Sequence, residues 1–342
     1  MARAVIPSAP VVCFGEMLLR LSPECGTPLA QTDRLALNVG GAEANVAVAL
    51  ASLGRPARML TALPDTALGR RALAALRGAG VETTWVAAAP GRMGLYYFEP
   101  PAGPRPGHVV YDRDGSAFAE AEPRQFDFPA ALEGAALLHI SGITPALGPK
   151  GCALASAAVA AAVDAGVPVC FDGNFRANLW AAWSCDPRER LLPLVEQASM
   201  LFGNHRDISL LLGREFTGEG SERRREAAEA AFAAFPRLET IASTSRQVID
   251  AGHHRLAARV DRRDGGWQTD ELPITGIVDR IGTGDAFAAG VLHRLLAGAG
   301  AREAAESGLA LAALKHGISG DMTLLCAAEL DAFGTGGLDV RR

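Results

Sequence analysis

Short apolar segments alternate with small-residue helical segments along most of this chain, and this alternation restricts its fold more than any other feature. Predicted strands cover residues 11–14, 58–62, 137–140, 169–172, 200–202 and 240–243. Predicted helices cover residues 42–53, 68–79, 152–165, 188–197, 208–212, 221–235 and 286–296. Strands that alternate with helices in this way form a mainly parallel sheet with helices on both faces. The sequence therefore predicts an α/β fold with a deep core.

Two excursions, about 17–39 and 94–118, interrupt the alternation and predict additional β structure. Residues 95–98 and 108–111 flank a loop rich in Pro and Gly, as the strands of a hairpin would. The three tyrosines of the chain, Tyr96, Tyr97 and Tyr111, all fall in the second excursion. Binding residues gather on such connections, so a lid over a ligand is favoured over a plain surface hairpin.

A glycine-rich turn, Gly282-Thr283-Gly284, leads through Asp285 into the helix predicted for residues 286–296. Glycines let the backbone approach a ligand closely, and the first amides of a helix have no partners within it. Such a turn binds anions, and a carboxylate beside it can accept a proton from an attacking hydroxyl group. The alternative interpretation of Asp285 is an ordinary helix cap.

A second glycine motif, Gly40-Gly41, is followed by Asn45 in the helix predicted for residues 42–53. Together, in this order, the two motifs resemble the ribokinase-like (PfkB) family of carbohydrate kinases. The resemblance extends through Phe14-Gly15-Glu16, Asp172-Gly173-Asn174-Phe175-Arg176 and Phe202-Gly203-Asn204, so it covers nearly the whole chain. It implies one kinase domain over residues 1–342, a three-layer sandwich with a mostly parallel central sheet, and a small β lid formed by the two excursions.

Within that family the chain looks most like 2-keto-3-deoxygluconate kinases. The similar segments are residues 15–23, 111–117, 171–176, 179–180 and 314–321. By motif, Tyr96, Tyr111 and Arg113 would reach the sugar from the lid, and Gly40, Gly41 and Asn45 would hold hydroxyl groups. Arg176 would bind the acid end, because planar guanidinium groups suit carboxylates. A structural salt bridge with Asp172 or a neighbouring residue is the alternative for Arg176.

The resemblance also implies ATP and Mg²⁺ as cofactors. Contacts to the nucleotide are expected from Asn204, Ser243, Ser245, Gly282, Gly284 and Lys315. Asp207 would act on Mg²⁺ indirectly, through water, since this ion retains much of its hydration. Asp279 either helps to hold a monovalent cation, as in some relatives, or only begins a turn. The chain departs from the family at residues 243–247, where a Lys-x-Gly-x-x-Gly loop is usual, and at Arg280, where a small hydroxyl residue is usual.

The reaction implied is ATP-dependent phosphorylation of the terminal hydroxyl of 2-keto-3-deoxygluconate. Asp285 would be the base, and the amides of Gly282, Thr283 and Gly284 would stabilise the phosphoryl group. Two alternatives stay open: a related sugar kinase for a ketose, ribose or 5-keto-2-deoxygluconate, and a catalytically weak sugar sensor. No G-x-G-x-x-G follows the first strand and no G-x-x-x-x-G-K-[ST] occurs, which argues against a dinucleotide-binding oxidoreductase and a P-loop kinase.

Composition limits the partners and the compartment. A net charge of -5 argues against nucleic acid as a partner, and no apolar run is long enough for a membrane span. Residues 1–10 do not resemble a signal peptide, and the six cysteines show no C-x-x-C spacing. We expect a cytoplasmic enzyme that binds a small sugar acid and ATP. The sequence leaves open whether the protein forms a homo-oligomer through the lid.

Overall fold

A computed structural model describes residues 9–217 and 220–334. Residues 1–8, which make up most of the segment where no signal peptide is expected, lie outside the described residues. Residues 335–342, at the C-terminal end of the predicted domain, also lie outside them. No helix in the described part combines the length and the apolar character that crossing a membrane requires.

The larger sheet has ten strands within the described residues. These are β1 (Val11–Phe14), β4 (Ala57–Pro64), β5 (Val86–Ala89), β8 (Leu137–Ser141), β9 (Val169–Asp172), β10 (Met200–Phe202), β11 (Thr240–Asp250), β12 (His253–Arg262), β13 (Gly265–Gln268) and β14 (Leu272–Thr275). Their order is β13-β12-β11-β10-β9-β8-β1-β4-β5, and β14 pairs with β12. Pairing is parallel from β5 to β11 and antiparallel beyond β11.

Helices cover both faces of this sheet, as the alternation predicted. The helices are α1 (Ala42–Ser52), α2 (Ala67–Gly78), α3 (Phe128–Leu132), α4 (Ile143–Ala146), α5 (Pro149–Asp164), α6 (Ala177–Trp180), α7 (Pro187–Val195), α8 (His205–Leu212), α9 (Gly220–Ala234), α10 (Thr283–Leu295), α11 (Ala301–Lys315) and α12 (Ala327–Asp331). One core contains α1, α2, α10 and α11, and a separate core contains α3, α5, α7, α8 and α9. Two cores separated by a sheet make the three layers.

The two excursions meet in a second sheet of four strands, here called the lid sheet. Its strands are β2 (Leu18–Ser22), β3 (Ala36–Gly40), β6 (Gly94–Glu99) and β7 (His108–Asp112). The order is β3-β2-β6-β7. Strands β6 and β7 pair antiparallel from Leu95 with Asp112 to Glu99 with His108, which confirms the predicted hairpin.

Two boundaries differ from the sequence prediction in ways that affect the site. Strand β11 extends to Asp250 instead of ending at residue 243, because β12 pairs with it antiparallel over most of that length. Residues 243–247 therefore lie in a strand and form no loop. Helix α10 begins at Thr283 instead of residue 286, so Gly284 and Asp285 belong to its first turn.

Candidate active site

A cavity of about 740 Å³ is lined both by the lid sheet and by loops that follow the strands of the larger sheet. Lid residues in its wall include Leu18, Tyr96, Tyr111 and Arg113. The opposite wall includes Asp172 at the end of β9 and Asn204 just after β10. Ligands of open α/β sheets bind beyond the carboxyl ends of parallel strands, and the cavity occupies that position.

The start of α10 forms one end of the cavity. Gly282 caps the helix with a φ of 80°, and a Cβ atom there would overlap the carbonyl oxygen of Asp321, so only glycine fits. The amides of Gly282, Gly284 and Asp285 have no hydrogen-bond acceptor among the described residues. The Thr283 amide lies 3.4 Å from the Arg280 carbonyl oxygen. Free amides at a helix N-terminus attract anions, and here three are available.

Asp285 lies in this first turn and lines the cavity. Its Oδ2 accepts a hydrogen bond of 2.7 Å from Asn45 Nδ2, and the buried Oδ1 of Asn45 has no partner in the described structure. Burial raises the pKa of Asp285 to about 6, although the Asn45 hydrogen bond and the charge of Arg176 oppose the rise. The carboxylate is thus ionised near neutral pH and close to its proton-accepting range.

Further carboxyl groups surround Asp285. Glu43 is buried and accepts hydrogen bonds from the amide and hydroxyl of Ser141, at 3.0 and 2.5 Å. Burial raises the pKa of Glu43 to about 7. Burial and the charge of Asp285 raise the pKa of Asp172, and burial raises that of Asp207. Crowded carboxyl groups with raised pKa values are typical of functional sites, where cationic ligands or substrates relieve them.

Asp207 also caps α8, where its Oδ2 accepts a hydrogen bond of 2.8 Å from the Asn204 amide. Within residues 9–217 and 220–334, no three His, Cys, Asp or Glu side chains form a group that could hold a metal ion. Asp172 and Asp207 both line the cavity, so their carboxyl oxygens suit a hydrated Mg²⁺ that is contacted through water.

The lid contributes two aromatic rings and a buried ion pair. The Tyr96 and Tyr111 ring centroids are 6.0 Å apart, and the Tyr96 hydroxyl donates a hydrogen bond to Asp321. Arg113 is buried, and both its Nε and Nη2 donate to Glu16 Oε2, the first at 2.8 Å. Arg113, which was expected to reach the sugar from the lid, is therefore already paired with Glu16, and only its Nη1 is free for a substrate.

Behind the first turn of α10 lies a buried charge cluster of Arg20, Lys315, Asp279 and Asp321. Arg20 Nη2 donates to Asp279 Oδ2 at 2.6 Å, and Arg20 Nη1 lies 3.2 Å from Asp321 Oδ1. Lys315 has no exposed surface and donates to the Ile318 carbonyl oxygen at 2.9 Å. Burial raises the pKa of Asp321 to about 6. The cluster joins strand β2 of the lid sheet to the loop that carries the free amides.

Arginines without a carboxylate partner line the other part of the cavity. Arg176, Arg246 and Arg280 all face it, and none lies within ion-pair distance of a carboxylate in the described structure. Partial desolvation and the like charge of Arg280 lower the pKa of Arg246. Unpaired guanidinium groups that repel one another are stabilised by a bound polyanion.

The structure brings most of the predicted site residues to this cavity. The residues in its wall are Gly41, Asn45, Tyr96, Tyr111, Arg113, Arg176, Asn204, Asp207, Ser243, Ser245, Gly282, Thr283, Gly284 and Asp285. Two others lie behind the wall: Gly40, which packs against the Asp321 carboxylate, and Lys315. Neither has a surface from which a ligand could be contacted directly. Of the two interpretations of Arg176, the salt bridge with Asp172 does not form.

Sequence reasoning assigned no role to Glu43, Asp321, Arg20, Arg246 or Arg280. Glu43 and Asp321 stand inside the segments that carried the family resemblance, so their position was a usable signal. Arg246 and Arg280 stood out only as departures from the family pattern. Their meaning depends on the tertiary structure: β11 carries Arg246 to the cavity, and the loop before α10 carries Arg280 to it.

The chain is similar to known carbohydrate kinases over most of its length. The sequence profile described as pfkB family carbohydrate kinase matches residues 8–325. The 2-dehydro-3-deoxygalactonokinase of Haloferax volcanii is 36% identical over 334 residues, which span 96% of this chain and 98% of that protein. The 2-dehydro-3-deoxygluconokinase of Thermoproteus tenax is 28% identical over 91% of this chain and 89% of its own length. A crystal structure of 2-dehydro-3-deoxygluconokinase from Thermotoga maritima superposes with a TM-score of 0.91 at 36% identity, covering 96% of this chain and 98% of that one.

Proposed function

The chain belongs to the pfkB family of carbohydrate kinases, and we propose that it transfers the γ-phosphoryl group of ATP to the terminal hydroxyl of 2-keto-3-deoxygluconate. The observation that carries this proposal is the unpaired Arg176 in the same cavity as Asp285. Asp285 can accept the proton of a hydroxyl group, and Arg176 can bind a carboxylate. A sugar acid is the substrate that presents both groups.

The chemical step follows from the first turn of α10. Asp285 takes the proton of the sugar hydroxyl while that oxygen bonds to the γ-phosphorus, and the bond from phosphorus to the ADP oxygen breaks. The free amides of Gly282 and Gly284 hold the charge on the phosphoryl oxygens. A preorganised donor of this kind contributes about 3 to 4 kcal/mol to transition-state stabilisation. The unpaired Asn45 Oδ1 is available to accept a hydrogen bond from another sugar hydroxyl.

The acid end of the sugar is assigned to Arg176. Arg113 keeps two of its three guanidinium nitrogens on Glu16, so its contribution is limited to Nη1 and to shaping the lid. Tyr111, whose ring lies 5.7 Å from the Arg113 guanidinium carbon, closes the cavity over the sugar.

Arg246 and Arg280 are assigned to the phosphates of ATP, and Ser243 and Ser245 of β11 line the same cavity. This assignment explains how the chain manages without a Lys-x-Gly-x-x-Gly loop, because charged side chains replace backbone amides as phosphate donors. Mg²⁺, when bound, neutralises charge on the β and γ phosphates. Asp172 and Asp207 are the residues that would orient its water ligands.

The C4 epimer, 2-keto-3-deoxygalactonate, is the second candidate substrate. The specific observation in its favour is the 36% identity to a protein named 2-dehydro-3-deoxygalactonokinase. Both epimers present the same carboxylate and terminal hydroxyl, so Arg176 and Asp285 serve either of them. Hydrogen bonds to the hydroxyl group at C4 would then determine which epimer the enzyme prefers.

A coupled assay that detects ADP tests the proposal with four acceptors: the two sugar acids, fructose and ribose. We expect kcat/KM for at least one sugar acid to exceed the values for both neutral sugars by about a hundredfold, the effect of about 2.7 kcal/mol from one charge-assisted contact. Higher kcat/KM for fructose or ribose would contradict the sugar-acid assignment and leave a kinase for neutral sugars.

A further inference from the structure

The buried charge cluster beside α10 occupies the place where the family resemblance implies a monovalent cation. The candidate ligand for such an ion was Asp279. A monovalent cation needs several oxygen atoms whose lone pairs point to one centre, as other hard cations do. The hydrogen bonds of the cluster show whether this chain offers them.

Both oxygens of Asp279 already accept hydrogen bonds. Its Oδ1 accepts from the Ile281 amide at 2.9 Å, and its Oδ2 accepts from Arg20 Nη2 at 2.6 Å and from the Gly320 amide at 3.0 Å. The nearby carbonyl oxygens are occupied as well. That of His316 accepts from the amides of Val278 and Asp279, and that of Ile318 accepts from Lys315 Nζ. These oxygens of Asp279, His316 and Ile318 face N–H donors, and this donor set does not fit a metal cation.

The positive charge of such an ion is nevertheless present in the protein. Lys315 is one of only two lysines in the chain, and its side chain is fully buried. Its ammonium group has no carboxylate within ion-pair distance in the described structure, although Asp279, Asp321 and Asp285 attract it from further away. Lysines are almost never buried completely without a partner, because desolvating the charge is costly. Because burying Lys315 is costly, its charge is expected to have a functional role.

The position of the cluster suggests that use. The carbonyl of Asp321 lies against Gly282, and Asp279 bonds to the amide of Ile281, so the cluster directly supports the turn that carries the free amides. Two cations, Arg20 and Lys315, lie among the carboxylates Asp279 and Asp321. Without them, the negative charge behind the turn would oppose the binding of a polyphosphate in front of it.

We propose that Lys315, together with Arg20, supplies from within the chain the positive charge that a bound monovalent cation supplies in some relatives, so that the kinase works without K⁺ or Na⁺. The inference rests on the proposed function, since it concerns the phosphoryl-transfer turn. Lys315 is on this account a positioning residue: it lies behind the cavity wall and touches neither substrate.

The first test is a cation titration of the wild-type enzyme. KCl is varied from zero to about 100 mM, and choline chloride keeps the ionic strength constant so that screening does not change. With Tris salts of ATP, kcat should change by less than about twofold, and the melting temperature should not rise in K⁺ relative to choline. A stimulation of about tenfold or more by K⁺, or a melting temperature that rises only with K⁺, would overturn the proposal.

The second test removes the charge. Desolvation lowers the pKa of Lys315 although Asp279, Asp321 and Asp285 attract its charge, so burying this charge opposes folding and an apolar side chain of similar length removes that cost. Lys315→Met should therefore fold and melt no lower than wild type, yet lose kcat by about tenfold or more with little change in the KM for ATP. A structural role alone would lower activity and melting temperature together. Lys150→Met is the matched control, because Lys150 is exposed and pairs only with Glu120.

A folded Lys315→Met variant that keeps kcat within about twofold of wild type would sink the proposal. If the variant failed to fold, the wild-type titration would still decide it. Failure of the proposed function looks different: the wild-type enzyme would phosphorylate none of the sugar acids in either salt. The melting comparison in K⁺ and choline would then still distinguish a cation site from its absence.

Discussion

The charged side chains beneath the lid sheet and those that face the open cavity differ in how they are paired. Arg20, Arg113, Glu16 and Asp279 are buried, and each has a partner of opposite charge. Arg176, Arg246 and Arg280 face the cavity without a carboxylate partner, and Asp285 has only the neutral Asn45. Paired buried charges hold the lid sheet and the loop before α10 in a fixed geometry, whereas unpaired charges in a cavity can bind a ligand of opposite charge. Substitutions in the two regions should therefore have different effects on activity and stability.

The largest effect is expected at Asp285. Asp285→Asn keeps the shape and the hydrogen bond from Asn45 but removes the proton acceptor, so kcat should fall by about a thousandfold or more, within the range for general bases. Steady-state kinetics with the preferred sugar acid measures it. Asp264→Asn, at an exposed position outside the cavity wall, is the control. A variant within about tenfold of wild type would mean that Asp285 is not the base.

The next effect separates the two kinds of arginine. Arg176→Leu should lower kcat/KM for the sugar acid by about thirtyfold, since a charge-assisted hydrogen bond contributes about 2 kcal/mol, and should affect fructose far less. Arg113→Leu should instead leave the buried Glu16 without a cationic partner, lowering the melting temperature and reducing activity on acid and neutral sugars alike. Equal losses for both sugars in Arg176→Leu would show that this arginine is structural.

The difference between these arginines also shows where sequence reasoning ends. The six predicted strands of the larger sheet and the lid hairpin follow from local patterns and are present in the structure, whereas β5 and β12 to β14 were not predicted and α10 begins three residues earlier than predicted. Arg113 and Arg176 look alike in sequence, because the partner that distinguishes them, Glu16, is 97 residues from Arg113. The extension of β11 beyond residue 243 depends on pairing with β12, a strand that the sequence patterns did not predict. The Arg113–Glu16 ion pair and the β11–β12 pairing both join segments that are distant in the sequence, and local patterns do not reveal such contacts.

A smaller effect is expected where the nucleotide phosphates are assigned. Arg246→Gln removes one unpaired guanidinium group, so the KM for ATP should rise by about fivefold to tenfold while the KM for the sugar acid changes little. Arg237→Gln is the matched control, since Arg237 is exposed and lies outside the cavity wall. An increase confined to the KM of the sugar acid would show that Arg246 binds the sugar and not ATP.

The smallest effect concerns stability and has opposite signs in the two regions. The pKa of Asp285 is raised to about 6 from an ordinary value of 3.8, so the folded state binds this proton more tightly than the unfolded state. The ionised group therefore opposes folding fully above pH 6, and this penalty disappears as the pH falls toward 4. Asp285→Asn should raise the melting temperature by a few degrees at pH 8, an effect of about 3 kcal/mol, and by much less at pH 4. Asp279→Asn, which removes the charge that Arg20 pairs, should lower the melting temperature at pH 8. Thermal melts of both variants at the two pH values measure this, and shifts of the same sign at pH 8 would remove the distinction between the two regions.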